Sequence, residues 1–229
     1  MAEPVAPETA AAGNDRMREV MRIAKAIREL NATVTNEVRE PVERKLRRWQ
    51  QLRMPALAPE VQAVRSYNLE WPALFAGERA RLWTILEGQV AAIEHIGSTS
   101  IPGMASKSIL DLLVAVRDIP SGLAMLATAG YEDFGVSPVD HEAVWLWNVS
   151  APGHALIVHL CAEDNPWIRT ALNFRDYMRA HPDECVSYEG LKHRLGAERT
   201  NLLEYSIVKL KLFYELSARA DAWVAAGRT

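Results

Sequence analysis

Gly97-Ser98-Thr99-Ser100 and, a little further on, Asp111 are residues whose types suit phosphate chemistry. A glycine lets the backbone approach a ligand closely, and three hydroxyls with the neighbouring N–H groups can donate to phosphate oxygens. An aspartate can hold Mg²⁺, a hard cation that prefers carboxylate, water and phosphate oxygens. Such a turn between two strands, the second carrying an outward acid, is one way to hold a nucleoside triphosphate. Polar turns are common, so the turn draws its meaning from what surrounds it.

The flanking segments have the required character. Residues 90–96 (Val-Ala-Ala-Ile-Glu-His-Ile) have the β-branched content of a short strand, and 109–116 form a nearly continuous apolar run broken only by Asp111, as in a buried strand. A charge there is costly, so it serves either a site or a salt bridge to Lys107 or Arg175. Helix is predicted over 71–88 and over 121–129, the latter ended by Gly130. Strands are predicted over 143–149 and 155–161, antiparallel and joined at Ser150-Ala151-Pro152-Gly153, with mainly helix from Pro166 onward. Ahead of this unit, residues 1–15 read as a disordered tail. Residues 16–60 read as an amphipathic helical extension and linker, with apolar positions such as Val20, Ala24, Ile27, Leu30 and Val34 recurring every three or four residues. That stripe, over 16–52, would suit packing on the core, a protein partner, or a homodimer.

The stretch Glu94-His95-Ile96-Gly97-Ser98-Thr99-Ser100-Ile101-Pro102-Gly103-Met104-Ala105-Ser106-Lys107-Ser108-Ile109-Leu110-Asp111 closely resembles the signature of the GrpB family. The resemblance continues through Tyr67 and Trp71, Gly130-Tyr131, His159, Phe174-Arg175-Asp176-Tyr177, Arg179, Pro182, Tyr188 and Lys192, and ends near Tyr205 and Lys209. It implies an α/β (α+β) domain over 61–226 with the nucleotidyltransferase-like fold, a mixed β-sheet flanked by helices. It implies that Gly97 and Ser98 are the phosphate loop and Asp111 the first metal-binding acid. The superfamily pattern has a second acid two residues on, where alternation puts both side chains on one face; here that position is Leu113. This departure weakens ordinary two-metal transfer.

Substitute ligands are therefore sought. His159 stands on a predicted strand, where it is either a ligand beside Asp111 or a core-edge histidine bonded to backbone. Glu163 and Asp164, or Asp140, His141 and Glu142, are further candidates, although loop acids are usually just solvated. Lys107, Arg175, Arg179, Lys192 and Lys209 stand where the family pattern also has a base, and each could grip phosphates or serve ordinary surface pairing. Tyr188 with Lys192, and Tyr205 with Lys209, are spaced to share a helix face. Trp145, Trp147 and Trp167 could stack on a base, but core packing is the commoner use of such rings.

The bulk properties narrow the function. The chain has 229 residues, 49% hydrophobic and 24% charged, with a formal net charge of −3, which argues against a protein that coats nucleic acid. Its only cysteines, Cys161 and Cys185, make neither a disulfide framework nor a zinc pattern. With no leader pattern and no run of about 20 apolar residues, a cytoplasmic protein without a membrane partner is expected. Two classes remain. One is an enzyme that binds ATP or another nucleoside triphosphate with Mg²⁺ and acts on an unknown small-molecule or protein acceptor. The other is a binding or accessory module of the same fold that has lost catalysis, as where some actinobacterial relatives fuse this domain to a dephospho-CoA kinase.

Overall fold

The computed structural model describes residues 57–136, 143–148, 153–197 and 202–228. The helical extension predicted over 16–52, and the candidates Asp140, His141 and Glu142, lie outside the described residues, as do the side chains of Trp145, Trp147, Lys192, Tyr205 and Lys209.

A short helix α1 (Pro59–Gln62) precedes α2 (Trp71–Ile85), β1 (Val90–Ile96), a 3-10 turn (Ser98–Ser100) and β2 (Ile109–Val116). Then come α3 (Ile119–Thr128), β3 (Glu132–Val136), β4 (Val144–Asn148) and β5 (Ala155–Ala162), followed by α4 (Trp167–Ala180), α5 (Pro182–Ala197) and α6 (Leu202–Ala225). The strands form one five-stranded sheet in the order β1-β2-β5-β4-β3. Only β2 and β5 are parallel, and they occupy its centre; the other pairings are antiparallel.

Local chemistry starts the helices. Asp118 caps α3 by accepting from the Ser121 N–H at 2.9 Å, and Pro120 fits the first turn, where no donor is needed. This cap starts the helix two residues before its predicted position. Asn68 folds back on the Glu70 N–H just ahead of α2, and Asn165 does the same for Trp167 at the start of α4.

The central strands supply the core from both faces. Leu110, Leu112, Val114 and Val116 of β2 join Leu156, Val158 and Leu160 of β5 under α2 and α3, together with Trp71, Leu82 and Leu126. Gly122 of α3 faces Val116 and Leu160, and a Cβ there would meet them at 3.4–3.6 Å, ordinary van der Waals contact. On the opposite face Leu113, Ala115 and Cys161 pack with Ile96 and with Trp167 and Ala171 of α4. Near the start of the two strands a smaller cluster joins Leu57 and Val61 to Ile109, Ala155 and Ile157, so the packed unit already includes Leu57. Each fully buried aliphatic side chain contributes about 1.5–3 kcal/mol, which explains why the two central strands tolerate so few polar residues. Among the described residues no helix is long and apolar enough to cross a membrane.

Candidate active site

Asp111 and His159 are the polar interruptions on the α4-facing side of the central strands. In the parallel register Asp111 lies opposite Ile157 and Leu113 opposite His159. Asp111 and His159 are thus diagonal neighbours on one face, between the Leu57/Ile157 cluster and the Leu113/Trp167 cluster. His159 Nε2 stands 3.0 Å from Asp111 Oδ1, with side-chain exposures of 9% and 24%. The imidazole is held by stacking on Trp167, with ring centroids 5.2 Å apart.

The other oxygen of Asp111 reaches over the turn after β1. Gly97 has φ 69° and ψ −173°, a conformation that side chains disfavour. A Cβ on it would sit 2.3 Å from Asp111 Oδ2. The acid therefore occupies the space that the glycine leaves open, and turn and carboxylate form one site.

The three hydroxyls of the turn have different tasks. Ser100 Oγ donates to the Gly97 carbonyl at 2.7 Å, and Thr99 Oγ1 donates to the Ile109 carbonyl at 3.2 Å. Both residues are buried, and both hydroxyl protons shape the turn itself. Ser98 is half-buried and shares a side-chain hydrogen bond with Tyr188. Within the turn, the N–H groups of Ser100 and Ile101 bond to the carbonyls of Gly97 and Ser98, whereas the N–H groups of Ser98 and Thr99, which open it, make no such bond. Those two amides and Ser98 Oγ lie beside Asp111 in the turn.

His95 belongs to this arrangement although residue type alone had not singled it out. Its Nε2 is 3.0 Å from Thr99 Oγ1. Thr99 gives its only proton to Ile109, so Nε2 must carry a hydrogen and donate. The ring stacks on Phe75 at 4.7 Å. Burial pushes its ionisation down to about 4; Asp111 opposes this, and Arg179 and Arg175 add to it. The signal in the sequence was a histidine four residues before a threonine at the end of a strand.

The helices α4 and α5 hold the turn from outside. Arg179 donates from Nε and Nη2 to the Ser100 carbonyl at 3.0 and 2.7 Å. Arg175 donates to Glu94 at 2.8 Å, to the His95 carbonyl at 3.3 Å and to Asp176 at 2.9 Å, so it anchors β1 to α4. Tyr188 is only 2% exposed; burial, and then the negative charge of Asp111, push its ionisation far above the ordinary phenol value. It is a buried strut behind Ser98, packed on Phe174, with no face open for stacking on a base. Glu189 accepts a hydrogen bond from the Ala105 N–H. Lys107, 8% exposed, is buried at the foot of the loop that leads into β2.

Other candidates stand apart. Glu163 and Asp164 are exposed beyond the end of β5, where the Glu163 N–H bonds to the Val116 carbonyl. That is five residues, roughly 16 Å, along the strand from Asp111. Leu113 is fully buried, so the place of a second acid is part of the core. Among the described residues no group of three His, Cys, Asp or Glu side chains is arranged to hold a metal. Among the described residues Asp111 and His159 are the one adjacent pair of candidate ligands here, enough for part of one cation's shell and not for two cations.

Comparison with known proteins agrees with this architecture. The family model described as "GrpB protein" matches residues 62–219. The UPF0157 protein YqkA of Bacillus subtilis is 35% identical over 144 residues, covering 62% of this chain and 41% of that protein. A UPF0157 protein of Streptomyces coelicolor is 35% identical over 160 residues, covering 68% of this chain and 82% of the relative. The chain thus spans less than half of the first relative and most of the second. The crystal structure of the conserved protein GrpB from Enterococcus faecalis superposes with a TM-score of 0.59 at 29% identity, covering 68% of this chain and 98% of that one. By the matched segment and by these relatives, the chain belongs to the GrpB family.

Proposed function

We propose that the protein binds a nucleoside triphosphate, ATP in the first instance, at the turn after β1, and transfers its nucleotidyl group to a small-molecule or protein acceptor or activates that acceptor for ligation. The observation that carries this reading is the space above Gly97, filled by the Asp111 carboxylate next to the Ser98 and Thr99 amides, which make no backbone hydrogen bond among the described residues. An acid set beside amide N–H groups that could donate to phosphate oxygens puts a cation ligand and phosphate donors within reach of one ligand. Asp111 would be the residue to hold a divalent ion such as Mg²⁺, which would supply neutralisation of the charge that builds up on the phosphates.

The chain's own groups would do the rest. The Ser98 and Thr99 amides donate to phosphate oxygens, and Tyr188 fixes the Ser98 hydroxyl for the same purpose. His95, neutral at physiological pH, locks the turn through Thr99. Arg175 and Arg179 hold the turn against α4 and lend positive potential. In the transfer, an acceptor oxygen forms a bond to the α-phosphorus while the bond to the pyrophosphate oxygen breaks, and the acceptor's proton leaves to a base or to water.

A second reading, an accessory module that acts through a protein partner, is favoured by the burial of Leu113 where a second acid would stand. Titration of ATP by calorimetry with and without Mg²⁺, on the wild type and on Asp111→Ala, tests the first. Magnesium-dependent binding lost in the variant supports it, and subsequent pyrophosphate release with an acceptor separates it from the second. Absence of binding to a folded wild-type protein refutes it.

A further inference from the structure

The site identifies the class of cation more closely than the nucleotide reading requires. Positions 111 and 113 share one face of β2, and position 113 is closed by a fully buried leucine. The next donor on that face lies across the sheet on β5, and it is the imidazole of His159. Its Nε2 and Asp111 Oδ1 are 3.0 Å apart. That is a hydrogen-bond length, and it is also the separation of two adjacent ligands at about 2.1 Å from a common ion, near a right angle. Stacking on Trp167 holds the ring at this angle. The carboxylate remains the more exposed of the pair, so the remaining coordination positions would open toward the turn and toward water.

A donor pair of one carboxylate oxygen and one imidazole nitrogen is poorly matched to Mg²⁺, which keeps a shell of oxygens. Imidazole best suits the first-row ions from Fe²⁺ to Zn²⁺, and Mn²⁺, although it also takes oxygen ligands, accepts an imidazole more readily than Mg²⁺ does. We infer that Asp111 and His159 together take a single divalent transition ion, of which Mn²⁺ is the convenient probe, and that His159 sets a preference for such ions over Mg²⁺. The inference deepens the nucleotide reading and rests on it for the phosphate ligands that would complete the shell.

The test uses the full chain with its histidines labelled with ¹⁵N, loaded with Mn²⁺ in the presence and absence of ATP, and examined by pulsed electron paramagnetic resonance. The expected result is one bound Mn²⁺ with a ¹⁵N coupling that the unlabelled protein replaces by ¹⁴N and that His159→Gln abolishes. His159→Asp, which supplies a second carboxylate, is expected to lower the Mn²⁺-over-Mg²⁺ affinity ratio about tenfold relative to the wild type. Bound Mn²⁺ without histidine coupling overturns the inference. So does an unchanged ratio in a folded His159→Asp protein, and so does failure to bind Mn²⁺ under either condition. ATP binding is followed in the same samples. Histidine-coupled Mn²⁺ with no ATP bound would uphold the ion site and sink the nucleotide reading, whereas ATP bound with Mn²⁺ in a histidine-free shell would do the reverse. The isotope comparison needs no substitution, so a variant that fails to fold leaves the inference testable.

Discussion

Replacing Gly97 by alanine tests whether the turn and Asp111 form one unit. Two costs follow from the structure. The backbone at φ 69° and ψ −173° is in a region almost confined to glycine, worth about 1–3 kcal/mol for another residue. The new Cβ would also lie 2.3 Å from Asp111 Oδ2 and 2.8 Å from its Cγ, so the carboxylate must swing away and release His159. Losing a hydrogen bond to a charged group costs about 1.5–3 kcal/mol. Together the loss is about 2.5–6 kcal/mol, which for a domain of this size lowers the melting temperature by roughly 5–24 °C. Gly103→Ala is the control: φ there is also positive, at 82°, but no atom stands within 4 Å, so only a backbone cost of about 1–2 kcal/mol applies. Urea unfolding followed by circular dichroism measures both. In the double variant with Asp111→Ala the two shortest contacts vanish and one of 2.9 Å to Cβ remains, so the losses should fall short of additive by about 1–3 kcal/mol. The reasoning is refuted if Gly97→Ala is no less stable than Gly103→Ala, or if its effect simply adds to that of Asp111→Ala.

Three further outcomes are expected. His95 ionises near 4 when folded and near 6.5 when unfolded, so between those values the unfolded chain binds more protons. Its contribution to stability is therefore complete above pH 6.5 and is lost as the pH falls toward 4, by about 3 kcal/mol; unfolding at pH 7.5 and 4.5 should show a smaller acid loss in His95→Gln, and equal losses would discount the residue. Tyr188→Phe removes the bond to Ser98 from a buried site, so stability should fall by about 0.5–1.5 kcal/mol and ATP affinity about fivefold, by thermal melting and calorimetry. An unchanged affinity would make Tyr188 a packing residue alone. Leu113→Asp restores the two-acid pattern but buries a charge among Ile96, Ala115 and Trp167, and should cost more than about 3 kcal/mol in metal-free buffer; a variant as stable as the wild type would contradict the packing described.

The central strands β2 and β5 were legible because burial on both faces leaves an almost unbroken apolar run, while the edge strand β1 was marked by its β-branched content. The edge strand β3 escaped notice. Its sequence Glu132-Asp133-Phe134-Gly135-Val136 carries acids and a glycine, as an edge bordering solvent allows, and no alternation marks it. Asp111 and His159 were both recognisable as conspicuous polar residues, but their meeting, 48 residues apart in the chain, depends on the parallel register of β2 and β5, which no local pattern encodes. The hydroxyls of the turn were overread for a related reason. Residue type says that Thr99 and Ser100 can donate, and only the fold says that the carbonyls of Ile109 and Gly97 receive those protons.

The bonds from Arg179 to Ser100 and from Glu189 to Ala105 span 79 and 84 residues of chain. On a ribosome, the turn emerges well before the helices that clamp it, roughly 4–16 s earlier at ordinary rates of synthesis. Strands β1 and β2 can pair during that interval, but the loop between them lacks its outer wall until α5 has followed. The turn's final shape would thus arise late in synthesis, and a chain cut short between α4 and α5 would keep the sheet's strands yet lack the Glu189 bond to the loop.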